Sequence, residues 1–204
     1  YLGAHPERGR VFDDTMAAVS ASANAAIAAD YDFSGFEKLV DVGGGNGASL
    51  EAILTRHPNV EAVLFDSEAV VDDALRERWA GSPLGPRITF ETGNFFKAVP
   101  EGGNAYFMKA IVHDWHDDAV SEIYSHIRAA IRPGGKLLLG EFVIQENDPL
   151  RRTVLGLDLQ MLALLTGRER TPEEHDALLA RNGFRLTRIV PTRSPFSVVE
   201  AETC

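Results

Sequence analysis

A short apolar strand over 38–42 runs directly into Gly43-Gly44-Gly45-Asn46-Gly47, and a helical stretch with Leu50, Ile53 and Leu54 on one face follows. Strand, Gly-x-Gly-x-Gly, helix is the layout of a nucleotide-binding turn. Glycine lets the backbone turn tightly and lets a ligand approach with no Cβ in the way. The spacing alone has two readings, because residues 43–48 also fit the G-x-G-x-x-A dinucleotide pattern. Asp66 ends the next strand, 23 residues after Gly43. A carboxylate there can accept from both ribose hydroxyls of NAD or of S-adenosylmethionine.

Asp41, two residues before the first glycine, separates the two. A dinucleotide would bring its pyrophosphate to this turn, and an acid would repel it. S-adenosylmethionine has no phosphate, and it carries an ammonium and a cationic sulfur that a carboxylate attracts. The turn therefore favours S-adenosylmethionine, with S-adenosylhomocysteine as its demethylated product.

These residues need a frame. Strand-like runs over 61–66, 87–92, 105–112 and 136–144 alternate with helical patterns over 48–57, 68–79 and 117–131. Such alternation implies an α/β fold with a doubly wound, mostly parallel sheet. The C-terminal part differs: helices over 150–165 and 171–182, then strands over 184–190 and 196–202 able to form an antiparallel pair. Thr171-Pro172 begins the second of those helices, as cap and first-turn proline, and Gly183 stops it. Residues 13–30 form an Ala-rich helix, with Met16, Val19, Ala23 and Ile27 at helical spacing.

The chain has 204 residues, is 45% hydrophobic and 25% charged, and carries a formal charge of −10. Its basic residues are scattered, which argues against a nucleic-acid surface. No apolar run approaches the roughly 20 residues of a membrane helix. The single cysteine, Cys204, excludes an internal disulfide and makes a cytoplasmic setting the default.

Five segments then resemble, in order, the plant caffeate-type and bacterial polyketide-type small-molecule O-methyltransferases. They are 40–47, 93–96, 107–115, 132–139 and 167–171. The resemblance covers nearly the whole chain, and His113-Asp114-Trp115 after a strand is its most specific piece. It implies a Rossmann-like class I methyltransferase domain that methylates a hydroxyl of a small aromatic acceptor. By resemblance, Gly43 contacts the cofactor within the turn of Gly43, Gly45 and Gly47, beside Asp41. Asp66 binds the ribose, Asn94 and Phe95 lie beside the adenine, and Lys109 lies near the cofactor. His113 is the general base, and Glu141 and Glu169 flank it. Asn94 stands where the family usually has Asp, although its carbonyl can still accept from an adenine amino group. The segment after Asp66 lacks the usual Leu-Pro.

This set makes chemical sense. Methyl transfer to oxygen is an in-line displacement on an already activated sulfonium, so the enzyme must place the acceptor and remove its proton. A phenol has a pKa of about 10 and imidazole is a suitable base, especially with an acid fixing its tautomer. His116 reads as the start of the next helix and not as the base. Phe12, Met16, Trp115, Leu157 and Met161 are candidates to line the acceptor pocket. No metal is expected, because Asp114, Asp117 and Asp118 read as the exposed start of a helix. Other readings carried from the sequence are a relative performing hydroxylation or decarboxylation and a binding module with no chemistry of its own.

Residues 1–30 are expected to be a helical lead-in to an upstream helical domain, and 31–204 the catalytic domain. Two features suggest this: the chain starts at Tyr1, and the 13–30 helix is apolar around much of its circumference. With that upstream domain the resemblance implies a homodimer.

Overall fold

The computed structural model describes residues 20–146, 149–164 and 167–204. Helix α1 covers 20–30 within this range. There follow β1 (Lys38–Val42), α2 (Ala48–Arg56), β2 (Glu61–Asp66), α3 (Asp73–Ala80), β3 (Ile88–Thr92), β4 (Ala105–Lys109), α4 (Asp117–Ala130) and β5 (Lys136–Glu141). The chain closes with α5 (Arg151–Leu164), α6 (Pro172–Ala180), β6 (Phe184–Pro191) and β7 (Ser197–Thr203).

The seven strands form one sheet in the order β3-β2-β1-β4-β5-β7-β6. The first five are parallel. β7 runs antiparallel to β5, and β6 antiparallel to β7. The central strands read as near-continuous apolar runs because both of their faces are covered. One face (Leu39, Leu64, Phe107, Leu138) packs on Ile27 of α1, Ile53 of α2 and Trp79 of α3. The other (Val40, Val63, Met108, Leu139) packs on Ile123 and Ile127 of α4 and Leu179 of α6. Alternation along each strand divides the core into these two layers.

The order reverses between β1 and β4, and a ligand crevice forms outside the carboxyl ends of strands at such a switch point. The two segments leaving there are the glycine turn and the stretch that carries His113.

Three boundaries differ from the sequence expectation by three residues or more. The strand expected over 105–112 stops at Lys109, because Ala110 takes φ 54° and turns the chain into a short 3-10 turn, Val112–Asp114. The strand expected over 136–144 ends at Glu141 and leaves one further bridge, Val143 to Arg170. The helix expected from residue 68 begins at Asp73, where the Asp72 carboxylate caps it by accepting from the Leu75 N–H. Thr171 and Glu174 form a complete capping box on α6, and the His116 ring caps α4.

Candidate active site

Gly43, Gly45 and Gly47 all adopt left-handed φ, at 74°, 56° and 80°. An L side chain is strained there, so the three glycines are needed for the turn itself. It brings the Gly45 N–H to the Asp66 carboxylate, 2.9 Å away. Asp66 thus lies at the end of β2, beside the turn, where the sequence places a ribose acid.

Below the turn is a cavity of about 170 Å³, lined by Ser20, Asn24, Asp41, Gly44, Ser49 and Lys109 among others. Asp41 is 2% exposed, and its Oδ2 has no hydrogen-bond partner among the described residues. Burial pushes the Asp41 carboxyl up to about 7, against the pull of the Lys109 ammonium. A buried acceptor without a partner is costly, and a cationic group entering the cavity would satisfy it. Lys109 is itself pushed below its ordinary value by burial, with Asp41 and Glu141 opposing. Its ammonium sits near Ser20 and 5.0 Å over the Phe196 ring.

The sequence reading did not place Ser20, Asn24 or Ser49 in this cavity. The Ser49 hydroxyl donates to Asn24 Oδ1 at 3.1 Å. The available signal was the spacing of Ser20 and Asn24, four apart on a helix with few other polar residues, which puts both on one face.

Asn94 and Phe95 follow β3 on the other side of the turn. Asn94 is exposed, and its Oδ1 already accepts from the Phe96 N–H at 2.9 Å. The second lone pair of that oxygen remains for another donor. Phe95 and Phe96 pack together, and Trp115 lies edge-on to both, with ring centres 6.4 and 4.8 Å away. Trp115 therefore joins Phe95 and Phe96 in one aromatic group.

His113, Glu141 and Glu169 come from three distant stretches and converge. The His113 Nδ1 lies 2.9 Å from Glu169 Oε1 and 3.8 Å from Glu141 Oε2. Glu141 and Glu169 are 1% and 2% exposed, so Glu169 is no surface ion-pair residue. Glu141 Oε1 accepts from the N–H groups of Val112 (2.9 Å) and Ile111 (3.2 Å), which ties the His113 turn to the end of β5. Asp158 of α5 accepts from the Glu169 N–H at 2.9 Å. Burial alone would lower the His113 pKa, but the Glu169 hydrogen bond and the charges of Glu141, Glu169 and Asp114 raise it to about 9. Burial pushes Glu141 up to about 7, with the His113 charge opposing.

With Nδ1 donating to Glu169, the other ring nitrogen, Nε2, keeps its lone pair in the neutral form. Asp114 Oδ1 is 3.5 Å from Nε2, a contact absent from the sequence reading. Phe142 stacks on His113 at 6.2 Å and packs in turn on Phe196 at 4.1 Å, an aromatic wall also missed. Of the expected pocket residues, Phe12 and Met16 lie outside the described residues. Leu157 and Met161 fall on α5, and their side chains lie outside the description too. Asp117 is not simply an exposed helix start: Arg170 and Arg168 donate to its carboxylate. Donor atoms of His113, Glu141 and Glu169 lie within 4.8 Å of one another, close enough for one metal ion. Such an ion would have to displace the His113–Glu169 hydrogen bond.

A sequence model of the O-methyltransferase domain matches residues 1–185. This chain belongs to the O-methyltransferase domain family. It is similar to the phenazine O-methyltransferase PhzM of Lysobacter antibioticus, 39% identical over 203 residues, covering 98% of this chain and 58% of that protein. It is also similar to the O-demethylpuromycin-O-methyltransferase of Streptomyces alboniger, at 38% identity over 98% of this chain and 55% of that one. Among solved structures it resembles the O-methyltransferase NcsB1 from neocarzinostatin biosynthesis, with a TM-score of 0.84 and 31% identity. That match covers all of this chain and 60% of that one. This chain thus spans little more than half the length of these relatives.

Proposed function

We propose that the chain transfers the methyl group of S-adenosylmethionine to a hydroxyl of a small aromatic acceptor, phenolic or polyketide-like, with His113 as general base. The observation that carries this is the held imidazole. Glu169 fixes the tautomer through Nδ1 and leaves Nε2 for the acceptor, at the same sheet edge as the Asp41 cavity. NcsB1, which shares this fold, was solved with S-adenosylmethionine and 2-hydroxy-5-methyl naphthoic acid.

The acceptor O–H donates to Nε2. As the oxygen attacks the methyl carbon opposite sulfur, the C–S bond breaks and the proton moves to Nε2. Two buried carboxylates favour the imidazolium that results. The products are the methyl ether and S-adenosylhomocysteine. In the cofactor site Asp41 faces the cationic end, Asp66 the ribose, and Asn94 and Phe95 the adenine. The sulfonium supplies its own activation, so no divalent metal is proposed, and EDTA should leave the rate unchanged. Acceptor-lining roles for Phe12, Met16, Trp115, Leu157 and Met161, the 1–30 and 31–204 division and a homodimer belong to the same proposal and draw on the family resemblance; a cytoplasmic setting belongs to it as well and draws on the single cysteine. Among the described residues no helix is long and apolar enough to cross a membrane.

The test is a panel of phenols incubated with enzyme and cofactor, read by mass spectrometry for the gain of one methyl. His113→Gln should slow transfer by roughly 10²–10⁴-fold while cofactor affinity holds. A parallel titration should show binding of S-adenosylmethionine and not of NAD. No methyl gain with any phenol, or parent turnover in His113→Gln, would overturn the proposal.

A further inference from the structure

We propose that Arg170 is a positioning residue for His113: its guanidinium clamps both ends of the turn that carries the imidazole and so holds the ring against Glu169. The proposal rests on His113 being the base.

Arg170 is 1% exposed. A guanidinium has five N–H donors in a fixed planar fork, and Arg170 makes five hydrogen bonds with them. Nη1 donates to the Val112 carbonyl at 3.0 Å and the Arg168 carbonyl at 3.2 Å. Nη2 donates to the Trp115 carbonyl at 2.9 Å and to Asp117 Oδ1 at 2.8 Å, and Nε to that same oxygen at 3.1 Å. Val112 and Trp115 bracket His113 and Asp114. Glu141 holds the N–H groups at the start of this turn, and Arg170 holds carbonyls at its start and its end.

The neighbours of Arg170 complete the mould. Glu169 meets the ring itself. Gly167 lies so close beneath the turn that a Cβ there would fall 1.9 Å from the His113 carbonyl oxygen and 2.5 Å from the Trp115 nitrogen. Arg170 touches no atom expected to react, so it acts through the turn. Lysine would keep the charge, but its ammonium cannot span two carbonyls and a carboxylate as a planar fork does.

A purely structural reading is that Arg170 only anchors the start of α4 through Asp117. The two differ in what they do to the imidazole. The groups facing His113 among the described residues are Glu169, Glu141 from β5 and Asp114 from its own turn. Arg170→Lys preserves the charge and loosens the turn, so the ring should drift from Glu169.

The experiment is an NMR titration of the His113 ring nitrogens in the full 204-residue chain, which needs no acceptor. In the parent the midpoint should stand well above the ordinary histidine value of about 6.5. In Arg170→Lys it should fall by at least about one pH unit. Methyl transfer should drop about 10²-fold, the loss expected of a misplaced reacting group, with the KM for cofactor held within about twofold. Asp117→Asn, which removes the carboxylate bracing the guanidinium, should shift the midpoint the same way by less, and it decides the matter if Arg170→Lys does not fold. A parent-like midpoint in a folded Arg170→Lys, or in Asp117→Asn where that variant decides, overturns the proposal and leaves the base assignment intact. An ordinary midpoint already in the parent overturns the proposal too, because the ring is then not held against Glu169, while the base assignment is decided separately by His113→Gln.

Discussion

Glu141 on β5 and Glu200 on β7 are 1% and 2% exposed, on adjacent antiparallel strands, yet their surroundings push them in opposite directions. Burial would raise Glu200, but Lys136, Tyr31, Thr187 and Arg188 all donate to its carboxylate and hold it down at about 2. Tyr31 reaches Oε2 at 2.7 Å and Thr187 reaches Oε1 at 2.8 Å. Glu141 accepts two backbone N–H bonds on one oxygen, while Oε2 has no hydrogen-bond donor among the described residues and faces the His113 ring. The Glu200 region satisfies its charge to stabilise the sheet. The Glu141 region leaves an acceptor unmet, which costs stability and favours a positive charge on His113 instead. Both are buried glutamates at strand positions, and only the partners separate structure from chemistry.

The largest expected effect that separates the two is on catalysis. Glu141→Gln should cut methyl transfer about 10²-fold while thermal stability changes little, because the amide can keep its bonds to Val112 and Ile111. Equal turnover would remove Glu141 from the catalytic set. Glu200→Gln should do the reverse. It weakens four donors' contacts and should cost about 1–3 kcal/mol, with Lys136 and Arg188 recovering some by rehydration because both reach solvent. For a domain of this size that is a fall in Tm of several degrees, read by calorimetry, with turnover near parent. The sign with pH follows from a depressed value: the Glu200 contribution is present above its ordinary carboxylate range and is lost as pH falls toward 2. A Tm difference between parent and Glu200→Gln that stays constant from pH 7 to pH 3 would contradict it.

A smaller effect concerns Asp41, which like Glu141 and Glu169 is a buried acid with an unmet oxygen among the described residues. Its value near 7 means that part of the population is protonated at neutral pH. A cation binds the ionised form, so affinity for S-adenosylmethionine should rise as pH goes from 6 to 8. One unit below the pKa costs about tenfold. Asp41→Asn should bind more weakly and lose most of that dependence. A calorimetric affinity that is flat with pH in the parent would show that Asp41 does not face the cationic end.

The grouping of the glycine turn with Asp66 was legible in the sequence because it is local. Gly43, Gly45 and Gly47 sit in one turn, and Asp66 ends the next strand, so spacing alone places them together. Asp41 was singled out by the sign of its charge, and it lines the cavity beside that turn. His113, Glu141 and Glu169 were named through resemblance, and the structure brings them within hydrogen-bond and ion-pair reach. What stayed hidden depends on contacts between distant stretches. Ser49 meets Asn24 across 25 positions, Phe142 meets Phe196, and Arg170 reaches back 58 positions to Val112. No helical or strand periodicity reports such pairs. The early end of β4 was hidden for a different reason. Ala110 is an ordinary residue held at φ 54°, and tertiary packing imposes that conformation against its local preference.

The central claim is that His113, raised by Glu169 and Glu141, takes the acceptor proton. The most direct test is the pH dependence of single-turnover methyl transfer with saturating cofactor and a phenol, in the parent and in Glu169→Gln. With a base near 9, the parent rate should climb about tenfold per pH unit from 6 to 8 and level near 9. In Glu169→Gln the midpoint should fall toward the ordinary histidine value and the plateau should be lower. A parent rate that is flat from pH 6 to 9, or a Glu169→Gln profile with the parent midpoint, would contradict it.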